Sequence, residues 1–168
     1  MAMSLIGEGA LSAGSVEVAD EMTGFGPHLM LDGYGCERRK LEDLDLIYRI
    51  LEELPVRIGM TRIMPPYVFK YSGLKPEDWG ISGFVLIAES HISIHTFPEK
   101  NFVSVDIFSC KAFDADFASQ YLKKAFAMAK LESNVLDRGT EFPKEINGAA
   151  RLVRADRRRL TRPAARHA

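Results

Sequence analysis

Side chains that can do chemistry are concentrated in one short region of this 168-residue chain, between Glu89 and Cys110. Ser90 is followed by His91 and His95, two histidines that are four residues apart. On a helix that spacing would suggest a metal-binding pair, but along a β-strand four residues span about 13 Å. The strand character of the region therefore argues against a zinc site. A serine hydrolase is disfavoured as well, because no nucleophile-elbow glycine pattern surrounds Ser90.

The strand character comes from two runs of residues separated by a turn at 98–101, which predict an antiparallel β-hairpin. With that turn, Phe97 pairs with Phe102, and further along Glu89 falls opposite Cys110. Alternation gives one apolar face suited to packing against helices, formed by Ile92, Ile94, Val103, Val105 and Ile107. The opposite face has an unusual composition for a solvated surface. Its members are His91, Ser93, His95, Ser104, Asp106 and Cys110, with Phe97, Phe102 and Phe108 among them.

The elements that must position this hairpin follow from the apolar spacing along the chain. Helical spacing predicts one helix over residues 38–54, closed by Pro55, and a second over residues 116–131. The other predicted segments are a strand at 28–36, an extended stretch at 60–71, a loop at 72–83, a strand from residue 84 and a short strand at 133–137. This order predicts an α/β sandwich in which two helices cover one face of a largely antiparallel sheet.

The two ends of the chain differ in composition from the predicted core. Residues 1–26 are rich in glycine, serine and acidic residues without periodicity, which predicts a flexible leader. Residues 27–146 are predicted to form one domain. Residues 147–168 contain seven arginines and are predicted to be a disordered tail. Such charge runs are usually solvated, and this tail has no aromatic residues to stack on bases, so nucleic-acid binding is disfavoured.

Composition also bounds the class of protein. The chain is 46% hydrophobic and 27% charged, as globular proteins are, and no apolar run is long enough to span a bilayer. The first 22 residues contain no lysine or arginine, so they do not match a secretory signal, and a cytoplasmic location is expected. Cys36 and Cys110 are accordingly expected to be free thiols.

The sequence ISGFVLIAESHISIHTFPE at 81–99, followed by VDIFSC at 105–110, resembles the bacterial and archaeal S-adenosylmethionine decarboxylases. The most specific part is Glu-Ser-His-x-x-x-His-Thr, and the resemblance extends more weakly from His28 to about Pro143. The fold that it implies is the α/β sandwich already predicted. The function that it implies is decarboxylation of S-adenosylmethionine for spermidine biosynthesis, by a homodimer of processed protomers.

The resemblance implies a proenzyme that cuts itself between Glu89 and Ser90. The Ser90 hydroxyl would attack the preceding carbonyl and turn the amide into an ester, and β-elimination and hydrolysis would leave a pyruvoyl group at the new N-terminus. This group would serve without a metal and would hold the substrate amine as a Schiff base. The family assigns the processing chemistry to Ser82 and His95, and the proton returned to the substrate carbon to Cys110.

Further residues are expected to contact the substrate or to shape its site. Glu99 matches a family glutamate that holds the ribose, and His91 lies next to the pyruvoyl position, where it could contact that group. Phe97, where relatives often have tryptophan, is interpreted as structural, and Cys36 as a small buried thiol. The aromatic residue that stacks on adenine stays open among Phe69, Tyr71 and Trp79.

Some features depart from the family pattern. Lys111 stands where relatives usually have glycine, and the loop at 71–80 is longer than in compact members. Decarboxylation of arginine or ornithine and a non-catalytic binding paralogue are therefore alternatives. One geometric problem also arises, because in a straight strand His95 would lie about 16 Å from Ser90. A bend, a bulge or an approach from another element is required.

Overall fold

A six-stranded antiparallel sheet with helices on one face forms the fold in a computed structural model, which describes residues 25–75, 77–140 and 142. The strands are β1 (Gly26–Tyr34), β2 (Tyr67–Ser72), β3 (Trp79–Ile87), β4 (Ser90–Phe97), β5 (Phe102–Ser109) and β6 (Lys130–Arg138). The helices are α1 (Arg38–Leu41), α2 (Leu44–Arg57) and α3 (Ala115–Phe126). The strand order is β2-β3-β4-β5-β1-β6, and every neighbouring pair is antiparallel. The predicted α/β sandwich is confirmed.

The core lies between the sheet and the two longer helices. Alternation along β1, β4 and β5 turns apolar side chains toward the helices, and α2 and α3 each present one apolar stripe to them. The fully buried side chains include Leu29, Leu31, Ile47, Leu51, Leu54, Ile92, Ile94, Ile107, Leu122 and Phe126. Asp43 and Asp114 cap the two helices by accepting the amide hydrogens of Leu46 and Phe117. The opposite face of the sheet carries no helix within the described ranges, and it is called the open face below.

Several predicted boundaries were wrong. Pro55 does not close the first predicted helix; it lies inside the last turn of α2, where its missing amide hydrogen removes one helical bond. The predicted loop at 72–83 is mostly strand, since β3 begins at Trp79. The second helix ends at Phe126, where Ala127 adopts a left-handed conformation without the glycine that usually marks one. The predicted leader and tail lie almost wholly outside the described residues.

The largest difference concerns the strand predicted from residue 84. It is two strands, because the chain reverses at Ala88 and Glu89 and Ile87 pairs with Ser90. Neither turn residue is glycine, proline or asparagine, so the usual turn signal is absent. The second turn, between Phe97 and Phe102, is where the sequence predicted it, and the β4–β5 register is confirmed.

Packing of α2 on the sheet leads to a stability prediction. Leu51 is fully buried, and its Cδ1 atom comes so close to Gly83 of β3 that a methyl group there would lie 2.8 Å from it. We expect Leu51→Ala to lower the free energy of unfolding by about 2–5 kcal/mol, because it leaves a cavity in the core. Leu44→Ala, in the exposed first turn of the same helix, should change it by less than about 0.5 kcal/mol. Urea unfolding of both variants tests this, and equal losses would contradict the packing described.

Candidate active site

The peptide bond between Glu89 and Ser90 lies at the end of the β3–β4 hairpin. The register predicted from the sequence extends to this point, since the amide hydrogen of Cys110 is donated to the carbonyl oxygen of Glu89 with an N···O distance of 2.9 Å. The thiol of Cys110 is exposed. A hydrogen-bond donor is therefore already aimed at the carbonyl that would become negatively charged if Ser90 attacked it.

A second set of hydrogen bonds fixes the turn from the other side. The segment 58–63, which follows α2 and is called the clamp segment here, runs beside the end of β3. Thr61 donates its amide hydrogen to Glu89 Oε2 at 3.0 Å and accepts the amide hydrogen of Ala88 at 2.8 Å. Lys111 Nζ donates to the carbonyl oxygen of Gly59 at 2.9 Å. Hydrogen bonds with Thr61 thus hold both the side chain of Glu89 and the backbone amide of Ala88.

Ser90 has a histidine beside its hydroxyl group. His91 Nδ1 lies 3.2 Å from Ser90 Oγ, and the His91 ring meets Phe108 edge-on with 5.9 Å between centroids. Burial, followed by the nearby His28, lowers the pKa of His91 below its ordinary value. The neutral imidazole is therefore the form that faces Ser90 near neutral pH. Ser90, His91, Glu89 and Cys110 together are called the turn group.

Ser82 and His95 form a separate pair on the open face. They are direct cross-strand partners in β3 and β4, and Ser82 Oγ lies 3.0 Å from His95 Nδ1. Both line a cavity of about 470 Å³ whose aromatic walls are formed by Phe69, Tyr71, Trp79 and Phe97. All three aromatic residues left open by the sequence therefore line one cavity. Phe97, interpreted as structural, lines it too.

Glu99 lies beside this cavity and is already bound by two side chains. Both of its carboxylate oxygens accept hydrogen bonds from the guanidinium of Arg38, and Trp79 Nε1 donates to Oε1 at 3.1 Å. These bonds, that from Arg38 first, lower the pKa of Glu99. No motif in the sequence pointed to Arg38, which lies two residues after Cys36 in a segment far from the hairpin. Ser82, His95, Glu99 and the four aromatic residues are called the pocket group.

The turn group and the pocket group do not meet within one chain. Residues 90–95 pair continuously with β3 and residues 90–97 with β5, without a bulge, so His95 lies about 16 Å along β4 from Ser90. A bend or bulge in β4 is thereby excluded as the way to join them. Approach from another element is the option that remains.

Three further observations concern Cys36, metal binding and membrane spanning. Cys36 is buried, and burial raises the pKa of its thiol to about 11, as suits a packing residue. Across residues 25–75 and 77–140, no three His, Cys, Asp or Glu side chains are grouped so that they could hold a metal ion. No helix in the described part of the chain is long and apolar enough to cross a membrane.

Comparison with known proteins gives a consistent result. The family model described as S-adenosylmethionine decarboxylase matches residues 27–139. The chain is 32% identical over 131 residues to the S-adenosylmethionine decarboxylase proenzyme of Geobacillus kaustophilus, covering 78% of this chain and all of that one. It is 37% identical over 115 residues to the proenzyme of Clostridium botulinum, covering 68% and 94% of the two chains.

A solved structure agrees with these sequence matches. The crystal structure of the adenosylmethionine decarboxylase from Aquifex aeolicus superposes with a TM-score of 0.60 at 29% identity, covering 73% of this chain and 96% of that one. The fold and the matches define a class, that of the decarboxylase proenzymes. Within that class, the chain belongs to the S-adenosylmethionine decarboxylase family.

Proposed function

We propose that this protein is a self-processing, pyruvoyl-dependent decarboxylase that converts S-adenosylmethionine to its decarboxylated form for spermidine biosynthesis. The observation that carries the proposal is the position of the Glu89–Ser90 bond. It lies at a hairpin end where the amide of Cys110 already donates to the Glu89 carbonyl oxygen. Family membership supports the same conclusion.

Self-cleavage begins when Ser90 Oγ attacks the carbonyl carbon of Glu89. Negative charge then develops on the oxygen that faces the Cys110 amide at 2.9 Å, where a positioned donor stabilises it most. The clamp segment keeps the acyl group from moving, because Thr61 holds both the Glu89 carboxylate and the Ala88 amide. Ser90 has a φ of 158°, close to the extended region. The attack is therefore favoured mainly by the neighbouring residues that orient the reacting groups, and not by backbone strain.

The later steps convert Ser90 to the cofactor. Breaking the C–N bond leaves the Glu89 acyl group as an ester on Ser90 Oγ. Loss of the Ser90 Cα proton expels the Glu89 carboxylate and leaves dehydroalanine. Addition of water to its imine form releases ammonia and yields the pyruvoyl group. Residues of this chain fit such a group, because the exposed thiol of Cys110 and the half-buried His91 flank the position.

The pyruvoyl group supplies a ketone that combines with the substrate amine and accepts the electrons left behind by carbon dioxide. The chain's own residues must then bind the substrate and return a proton to its α-carbon. Cys110 is the donor in this proposal, because its thiol is exposed in the residue directly opposite the cleavage point.

The pocket group suits S-adenosylmethionine better than arginine or ornithine. Its four aromatic side chains offer faces that stack on an adenine ring and attract a sulfonium cation, and its volume of about 470 Å³ is in the range for a small ligand. Arginine and ornithine carry no ring to stack. Release of carbon dioxide from carboxyl-labelled S-adenosylmethionine, arginine and ornithine should therefore be fastest for the first, and preference for either amino acid would overturn the substrate.

A second copy of the chain joins the two groups in this proposal. Since β4 is regular, Ser82 and His95 reach Ser90 only if they come from a homodimer partner whose open face packs against this one. Large apolar side chains stand exposed on that face, among them Tyr67, Phe84 and Leu86 at 57%, 37% and 40%. Their exposure in one chain is the pattern expected of a subunit interface.

Mixed dimers test this arrangement. A His95→Ala chain expressed alone should stay uncut, because both of its sites lack the histidine. Expressed with a differently tagged Ser90→Ala chain, it should be cut, because the partner supplies an intact His95 to its Ser90. The Ser90→Ala chain is the internal control and stays whole in either case. If the His95→Ala chain is cut equally with and without the partner, the shared site is wrong.

A further inference from the structure

Ser90 has a base within reach in its own chain. His91 Nδ1 lies 3.2 Å from Ser90 Oγ, inside the range for proton abstraction, whereas His95 of the same chain is about 16 Å away along β4. With its proton on Nε2, the neutral imidazole leaves the Nδ1 lone pair free for the hydroxyl hydrogen. The backbone keeps the two side chains adjacent at the start of a strand paired on both sides.

The surroundings of His91 favour its neutral form. The Phe108 ring of β5 packs against the His91 ring and separates it from His28 of β1. His28 Nε2 lies 3.2 Å from Asp106 Oδ1. Arg138 of β6 lies over the Phe108 ring, with its guanidinium carbon 4.2 Å from the ring centroid.

The charges around His91 act in both directions. Burial, His28 and Arg138 lower its pKa, while Asp106 raises it, and the net direction is down. Its cross-strand partner on β3, Leu86, carries no charge. Glu89 and Cys110 lie in the adjoining turn, where the Cys110 amide is bonded to the Glu89 carbonyl oxygen. The imidazole is thus kept unprotonated where a base is needed.

We propose that His91 is the general base of self-cleavage, taking the proton from Ser90 Oγ as that oxygen bonds to the Glu89 carbonyl carbon. The Oγ–H bond breaks and the proton moves to Nδ1, while the new O–C bond forms. When the C–N bond of the peptide breaks, the same proton passes to the departing nitrogen of Ser90, so His91 is regenerated. This inference rests on the self-cleavage proposed above and assigns its first proton transfer to a residue of the same protomer.

Two substitutions separate a base from a mere hydrogen-bond partner. In His91→Ala the hydroxyl has no acceptor, and in His91→Asn an amide oxygen can accept the hydrogen bond but cannot take the proton. We expect both to slow cleavage of freshly translated proenzyme by about 100-fold or more. Recovery of the wild-type rate in His91→Asn would show that the residue only positions Ser90 and would overturn the inference. Added imidazole should restore part of the rate in His91→Ala.

Hydroxylamine identifies the step that is blocked, because it cleaves esters but leaves peptide bonds intact. The uncut His91→Ala chain should resist it, since the block precedes ester formation. An uncut chain that hydroxylamine splits at Ser90 would place His91 in a later step and contradict the proposal. Thermal unfolding of the same samples shows whether the variant is folded.

The pH dependence of the wild-type protein gives a test that needs no variant. Protonated His91 cannot accept a proton, so the rate of cleavage should fall as the pH is lowered through the pKa of His91. Because that pKa is depressed, the fall should come below the ordinary value of about 6.5. A rate that does not fall at any pH below about 6.5 at which the protein stays folded would exclude His91 as the base. If the wild-type chain is never cut, self-cleavage itself fails; if it is cut and these tests fail, only the role of His91 does.

Discussion

Ser90→Ala is expected to remain one uncut chain without decarboxylase activity. The variant has no hydroxyl to attack the Glu89 carbonyl, and without cleavage no pyruvoyl group is formed. The fold should persist, because the β4 backbone pairs do not depend on the serine side chain. Denaturing gels and a carbon dioxide release assay measure the two losses together.

Ser90→Cys is the matched variant for this test, since a thiol is also a nucleophile. It should be cut to a detectable extent where the alanine variant is not cut at all. Cleavage of Ser90→Ala at the same position would show that another group breaks the chain, and it would remove Ser90 from the mechanism.

Cys110→Ala should separate processing from catalysis. The group that contacts the Glu89 carbonyl oxygen is the backbone amide of Cys110, at 2.9 Å, and alanine keeps that amide. We therefore expect the variant to be cut. Turnover should fall by about 100-fold or more, because the thiol that returns a proton to the substrate carbon is missing.

Progressive inactivation should accompany this loss. If the proton did not reach the substrate carbon, the pyruvoyl group would be lost by conversion to an amino acid, and the enzyme would be inactivated. The mass of the 90–168 fragment before and after turnover detects that conversion. A processed Cys110→Ala enzyme with wild-type turnover would show that the thiol has no catalytic role and is a packing residue.

The sequence predicted the part of the site that depends on local pairing. The turn before Phe102 fixed the β4–β5 register, which placed Cys110 opposite Glu89 as observed. The reversal at Ala88 and Glu89 lacked a turn signal, so the β3–β4 register could not be derived. Had that turn been recognised, counting outward from it would have paired Ser82 with His95.

Contacts between distant segments could not be predicted from the sequence. Thr61 binds the Glu89 carboxylate from a segment 28 residues away, and Arg38 binds Glu99 across 61 residues. Neither contact follows from periodicity, because each depends on how a connecting segment crosses the end of the sheet. The regularity of β4 could not be predicted from the sequence either. Because β4 has no bulge, the long separation of Ser90 and His95 along it argues for a site shared between two chains.

Intact mass measurement of the purified, denatured protein tests whether the chain cuts itself between Glu89 and Ser90. Self-cleavage predicts two chains, residues 1–89 ending in a free carboxylate at Glu89 and residues 90–168 beginning with pyruvoyl. The second should be lighter than a fragment that begins with serine by the mass of ammonia, and its blocked N-terminus should resist Edman degradation. A single chain of 168 residues in material that decarboxylates S-adenosylmethionine would show that activity does not depend on self-cleavage.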